Sequence, residues 1–391
     1  MQIKVNMKFS VVRIVMLVAW TVSLFGYFFQ FPISRLSSLI VPGLAVYLIG
    51  MMILKKGFPM ERRWTAVYFI YLFYLLLMAG ISLIQNTGFG TIIRFLLILS
   101  ILPLFAVMRF DEFKPFYAIF ILLAVAKCLL LFYYGWILIR TGDYTELRRW
   151  AELNHFGDIY INPSTHLPKI QVQGNGILPM ALILNIVYGK KNIWNFLLDA
   201  VLAIGIFLAG NAAYLLGIAA YFGYKLLRNL QEREKTIWTK LASLMIILVG
   251  GAGFAAYAIY TLGAKSDYAD AVRLEQAKAL LDNYIIVGNG LGHGIYYTGV
   301  MRSYSGDTYF ELQTLYIFNQ IGLTGMLMFY WLTFKPIREA GRKVLILFLI
   351  YLLYTFWNPY CFDSTEMIVI SLLVNYPAYV KRQNKTLPIT C

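Results

Sequence analysis

The sequence predicts an all-α integral membrane protein of about twelve transmembrane helices with two enlarged extracytoplasmic loops. Three observations carry this prediction. The 391 residues are 60% hydrophobic and only 14% charged, more apolar surface than a water-soluble fold can hide. Apolar runs of the length that crosses a bilayer recur along the chain. The basic residues, which give the chain a formal net charge of +15, fall mostly between those runs, as cytoplasmic loops require. That placement argues against nucleic acid as the partner of the positive charge. A transmembrane barrel would show short alternating strands instead. Cys128, Cys361 and Cys391 are scattered and form neither a disulfide framework nor a metal-binding spacing.

The apolar runs lie near 11–30, 36–54, 64–84, 91–108, 116–139, 175–189, 192–209, 211–227, 241–262, 311–334, 344–357 and 366–380. The first is long enough to span and lacks a small-residue cleavage site, so it reads as a retained helix and not a signal peptide. With the N-terminus cytoplasmic, 23 of the 34 Lys and Arg fall in inside segments, nine outside and two within spans. That asymmetry places both termini in the cytoplasm. The 175–189 run is short and follows Gly174, so a tilted or broken helix is expected there. Gly210 and Asn211 leave almost no loop, which predicts antiparallel neighbours on either side. No internal repeat is visible, whereas many secondary transporters carry one.

Two outside segments are long, 140–174 and 263–310, and long loops without a function are uncommon. The first carries Arg140, Arg148, Arg149, His155, His166 and Lys169 among aromatic residues. The second is expected to open with an amphipathic helix over about 268–283, with Val272, Gln276, Ala279 and Leu280 on related faces. It then turns through Gly288, Gly290, Gly292 and Gly294. These glycines suit a tight turn against the membrane domain. They do not make a nucleotide fingerprint, because no strand precedes them and the loop faces away from the cytosol.

Several polar residues are candidates for chemistry. Arg94 lies inside a span, where a charge costs roughly 2.5–3.5 kcal/mol on insertion scales. It either serves a site or snorkels to the outer interface. Lys127, deeper in its span, poses the same choice. Arg273 is either a solvated helix face or a phosphate contact through its paired donors. Glu311 opens an apolar run, where it either caps a helix or accepts a hydroxyl proton as general base. Asp307 and His293 are the alternatives for that role. Gln313, Asn319 and Gln320 lie on the same helix and suit sugar hydroxyls. The pair in SDYAD, Asp267 and Asp270, lacks the supporting ligands of a metal site.

Read together, Arg273, the segment IIVGNGLGHG, Glu311 and NQIGLTG resemble the O-antigen polymerase and ligase superfamily. The resemblance is densest over about 265–325 and architectural elsewhere. It implies polymerisation of polyprenyl-diphosphate-linked oligosaccharide repeat units into an O-antigen or capsule at the outer face of a bacterial inner membrane. It also implies membrane lipids, a chain-length regulator and a flippase as partners. The donor arrives activated, so neither a cofactor nor a metal is expected, and cations neutralise the departing diphosphate. Arg273 and Arg94 are the expected diphosphate contacts, Arg148 and Arg149 further ones, and Glu311 the base. Two features depart from the family. Ligases place a His followed by Asn or Ser where this chain has Glu311, Leu312 and Gln313, which favours polymerase over ligase. The family's Ser-Arg turn is replaced by Gly210 and Asn211. The alternatives are a ligase acting on lipid A core and, from another class, a lipid-linked oligosaccharide flippase.

Overall fold

The computed structural model describes residues 3–55, 60–109, 113–162, 166–232, 236–263, 267–281, 286–356 and 358–386. Over these it is helical in its membrane part. The helices are α1 (Ile3–Phe29), α2 (Ile40–Leu54), α3 (Arg62–Ile84), α4 (Phe89–Val107) and α5 (Phe113–Thr141). They continue with α6 (Thr145–Leu153), α7 (Leu178–Tyr188), α8 (Ile193–Ala209), α9 (Ala212–Gln231) and α10 (Ile237–Gly263). The last four are α11 (Asp267–Leu281), α12 (Gln313–Ala340), α13 (Arg342–Thr355) and α14 (Ser364–Thr386).

Each of the twelve apolar runs coincides with a helix, but fewer than twelve of those helices qualify as independent spans. Among the described residues six are long and apolar enough to cross a membrane: α1, α2 with its preceding 3-10 turn, α3, α4, α5 and α12. Three shorter apolar helices lie at Leu178–Tyr188, Ile193–Ala209 and Ile237–Gly253. The chain is thus built as a multi-pass membrane protein with a smaller set of spans than composition predicts. The physical reason is length and polarity. The 11 residues of α7 reach only about 16 Å, half the hydrocarbon thickness of about 30 Å. Helix α13 has 14 residues, and α9 and α14 end in charged turns.

Helix α7 compensates for its shortness by burial. Every residue from Leu178 to Asn185 is buried, on all sides of the helix. Its inner end is fixed by Asn185, which accepts from the Tyr117 hydroxyl at 2.8 Å and donates to Asp199 Oδ1 at 2.9 Å. The segment before it, Gln173–Gly176, dips among α1, α5 and α13. A Cβ on Gly174 would meet Tyr27 O at 2.6 Å, and one on Gly176 the Tyr360 ring at 2.8 Å. Lys127, wholly buried on α5, donates to Gln173 O at 3.0 Å and lies 5.1 Å from the Phe31 ring centroid. Its Nζ therefore satisfies a backbone carbonyl of a non-helical segment inside the bundle, a structural task that accounts for its depth.

The tight turn at Gly210–Asn211 does not make α8 and α9 a packed antiparallel pair. Gly210 takes a left-handed conformation, φ 65°, and the helices diverge: α8 runs along α5, while α9 packs on α10 and α13.

The two long loops add a β component to an otherwise helical chain. In the first, α6 is followed by the antiparallel strands β1 (Gly157–Ile161) and β2 (Pro168–Val172), with Ile159 opposite Ile170. Both isoleucines are buried, so this hairpin seats its apolar face on the bundle at α5 and α8. In the second, α11 forms where the amphipathic helix is expected, with Gln276, Ala279 and Leu280 buried and Val272 half-buried. A short hairpin follows, β3 (Ile295–Tyr297) with β4 (Tyr304–Asp307).

The charge asymmetry predicts that this second loop faces outside. A Ser303→Cys variant in intact cells should therefore react with an impermeant thiol reagent. Labelling only after the cytoplasmic face is opened would reverse the topology.

Candidate functional site at the outer rim

The glycine segment and α12 interlock through the helix break. Inside α12, Gly322 has φ 60° and ψ −174°, so the helix is interrupted there. A Cβ at this position would stand 2.5 Å from Ile286 O. The freed backbone is satisfied by the loop: Asn289 N donates to Asn319 O at 2.8 Å, Gly290 N to Gln320 O at 3.0 Å, and Thr324 N to Ile286 O at 3.2 Å. The Tyr74 hydroxyl of α3 meets both Ile321 O and Val287 O. Irregular backbone at membrane depth is tolerated only where protein or a polar cavity covers it, and here residues 286–292 cover it.

This arrangement reassigns two residues expected to hold sugar. Asn319 donates to Leu280 O at 2.8 Å and accepts from Asn289 Nδ2 at 3.1 Å. Gln320 Oε1 accepts from Gly292 N at 2.8 Å. Both side chains are buried and hold the loop in place. Gln313 starts α12 and has its buried Oε1 unbonded among the described residues.

Glu311 lies two residues before α12, whose N-terminus carries no side-chain cap. It pairs with Arg273 of α11, Nε to Oε2 at 3.3 Å, with both side chains well exposed at 44% and 57%. Pairs this exposed are worth about 0–1 kcal/mol. Helix α11 is held against the start of α12 by Gln276 Oε1, which accepts from Leu312 N at 3.0 Å. The base and the diphosphate contact expected from sequence are thus neighbours, joined by a bond weak enough to be exchanged.

Arg94 adds a second cation. It lies five residues into α4, about 7.5 Å below the helix start, and is exposed. It acts electrostatically on Tyr309, Tyr316 and Asp363. The Tyr309 phenol is raised by desolvation and then by the charges of Glu311 and Asp363, with Arg94 opposing. Tyr309, 68% exposed, therefore stands within the field of both carboxylates and of Arg94. Its exposed ring offers a face on which a sugar can stack.

Asp363 is the functional candidate that the sequence reading missed. It precedes α14, accepting from Thr365 N at 2.7 Å and Thr365 Oγ1 at 3.0 Å. Burial pushes its carboxyl up to about 6, against the bonds from Thr365 and the opposing charge of Arg94. Glu366 follows on α14, 1% exposed, with Oε2 unbonded among the described residues. The loop carrying Asp363 is tied to the start of α12 by Thr314 Oγ1, which donates to Phe356 O at 3.2 Å. A bond of 3.3 Å from Asn211 to Asn358 ties it to α9. The available signal was a lone acid in the aromatic outer loop NPYCFDST, but nothing in the sequence joins that loop to Arg94.

The remaining candidates have local tasks. His293 Nδ1 lies 2.8 Å from Gln85 Oε1, and its carbonyl accepts from the Tyr316 hydroxyl at 2.9 Å. Burial lowers its pKa, which favours the neutral ring. Asp307 Oδ2 accepts from Ser305 N at 3.1 Å, closing its own turn. Arg148 is paired with Glu152 and Asp158, each at 3.0 Å, and covers the Tyr160 ring at 5.5 Å. It braces the first hairpin and belongs to another group than Arg273 and Glu311. Arg149 is exposed on α6. Among the described residues no three His, Cys, Asp or Glu side chains gather as a metal site would need.

No protein-family model, curated protein or solved structure matches this chain.

Proposed function

We propose that the protein is an integral-membrane glycosyltransferase that polymerises oligosaccharide repeat units carried on a polyprenyl diphosphate, working at the outer face of a bacterial inner membrane. The observation that carries this reading is the Arg273–Glu311 pair at the rim of the bundle, beside Arg94, Tyr309 and Asp363. Two guanidiniums and two carboxylates at a membrane edge suit a reaction in which a lipid diphosphate leaves and a sugar hydroxyl attacks.

The exposed pair supplies a trigger. A diphosphate offers Arg273 more charge and more acceptor oxygens than a carboxylate does, so the donor draws Arg273 away and frees Glu311. The freed carboxylate accepts the proton of the acceptor hydroxyl. That oxygen bonds to the anomeric carbon as the bond to the diphosphate breaks, and Arg273 and Arg94 take up the developing charge. Tyr309 provides stacking area, and the exposed aromatics of the second loop extend it.

The ligase reading requires the same donor and a different acceptor, and Glu311 in place of a His disfavours it. A flippase predicts polar residues along a central path. Here Asn319, Gln320 and Lys127 are buried in structural bonds, and the exposed polar groups lie at the rim. Deletion of the gene in its host separates the three, read as surface polysaccharide length on a gel. Polymerase loss leaves single-repeat products, ligase loss leaves polymer on its lipid carrier, and flippase loss leaves no surface product.

A further inference from the structure

We propose that the opposite end of the molecule carries a binding site for the phosphate of an anionic phospholipid, at the junction of α12 and α13. Helix α12 is long and apolar enough to cross a membrane, so the α12–α13 junction at its far end lies toward the face opposite Glu311, the one that the basic loops mark as cytoplasmic. There a cavity of about 520 Å³ is lined by Arg338, Arg342 and Leu345.

Three features of the cavity point to its ligand. The two arginines flank the helix break at Gly341, φ 130°, and neither guanidinium is paired with a carboxylate or hydrogen-bonded among the described residues. More cations crowd the same end: Lys343 lies over the stacked rings of Tyr188 and Tyr376, and Arg228 of α9 is close enough to repel it. Of the nearby acids, Glu232 pairs with Arg228 at 3.0 Å and Glu339 acts electrostatically on Arg109. Arg338 and Arg342 line one cavity, two like charges on a common wall, and a phosphate between them offsets their mutual repulsion. Leu345 on the same wall supplies an apolar contact that inorganic phosphate cannot use and an acyl chain can. Basic recesses between transmembrane helices on the cytoplasmic side suit anionic headgroups on these grounds.

This inference does not depend on glycosyl transfer. The test uses the purified full-length protein in bilayers of phosphatidylcholine with or without phosphatidylglycerol, reading bound lipid by native mass spectrometry and stability by thermal melting. Phosphatidylglycerol is expected to be retained and to raise the melting temperature. The double variant Arg338→Gln/Arg342→Gln should lose about tenfold or more in apparent affinity for it. Arg338→Lys/Arg342→Lys, which keeps the charge, should keep most of the retention and shows that loss in the glutamine variant is not misfolding. Equal retention by the glutamine variant overturns the proposal. So does an equal loss in the control Lys190→Ala/Lys191→Ala, which removes two inner-face charges elsewhere. If inorganic phosphate alone reproduces the stabilisation in phosphatidylcholine, the site takes free phosphate and the lipid assignment is overturned.

Discussion

Replacing Glu311 by Gln is expected to abolish chain extension while donor binding survives. The change keeps the size of the side chain and its hydrogen-bonding capacity, and it removes the charge that accepts the proton in the proposed reaction. General-base contributions are typically about 10²–10⁴-fold in rate, so at most a trace of polymer should remain. Glu311 lies two residues before α12 and makes no hydrogen bond to that helix's amides among the described residues, so a role at the helix end would rest on the dipole alone. Its pair with Arg273 is exposed, so loss of that pair alone should cost no more than about 1 kcal/mol of stability. Asp307→Asn and His293→Ala are controls whose side chains bond Ser305 N and Gln85, and both should keep extending chains. Asp363→Asn is the informative comparison. If Glu311→Gln makes normal polymer and Asp363→Asn makes none, the base is Asp363, whose carboxyl is already poised at about 6.

Arg273→Ala is expected to lose most activity, by roughly 10²–10³-fold, while the protein still inserts and accumulates. In the proposed reaction Arg273 stabilises charge on the leaving diphosphate and holds Glu311 until the donor arrives. Removing it frees the base prematurely and leaves the diphosphate with Arg94 alone. Arg273→Lys should restore activity only in part, because an ammonium is a point charge and cannot offer paired donors. Activity near wild type in Arg273→Ala would return this residue to the role of a solvated helix face. Measuring donor binding in the same variant separates lost affinity from lost rate.

What the sequence made legible follows from the range of the interactions involved. Helix α11 was readable because its amphipathic spacing is local, and the burial of Gln276, Ala279 and Leu280 follows that spacing. The pairing of Arg273 with Glu311 was reachable only as two candidates for one site, since 38 residues separate them. The break at Gly322 was hidden because its cause is the chain at 286–290, which fills the space where a side chain would stand. For the same reason Asn319 and Gln320 read as sugar ligands, although Asn319 bonds Leu280 O and the Asn289 side chain and Gln320 accepts from Gly292 N. The two hairpins escaped notice because each strand is five residues or fewer, too short to set an alternation apart from its aromatic surroundings. Span count was overestimated because an apolar run does not reveal whether it meets lipid or, like α7, other helices on every side.

The most direct test of the central claim is reconstitution. The purified protein, in liposomes with a polyprenyl-diphosphate-linked oligosaccharide and no nucleotide sugar, should convert single repeats into a ladder of longer lipid-linked chains and release polyprenyl diphosphate, one for each bond made. A preparation that is folded, binds the lipid-linked donor and leaves it at single-repeat length would contradict the account.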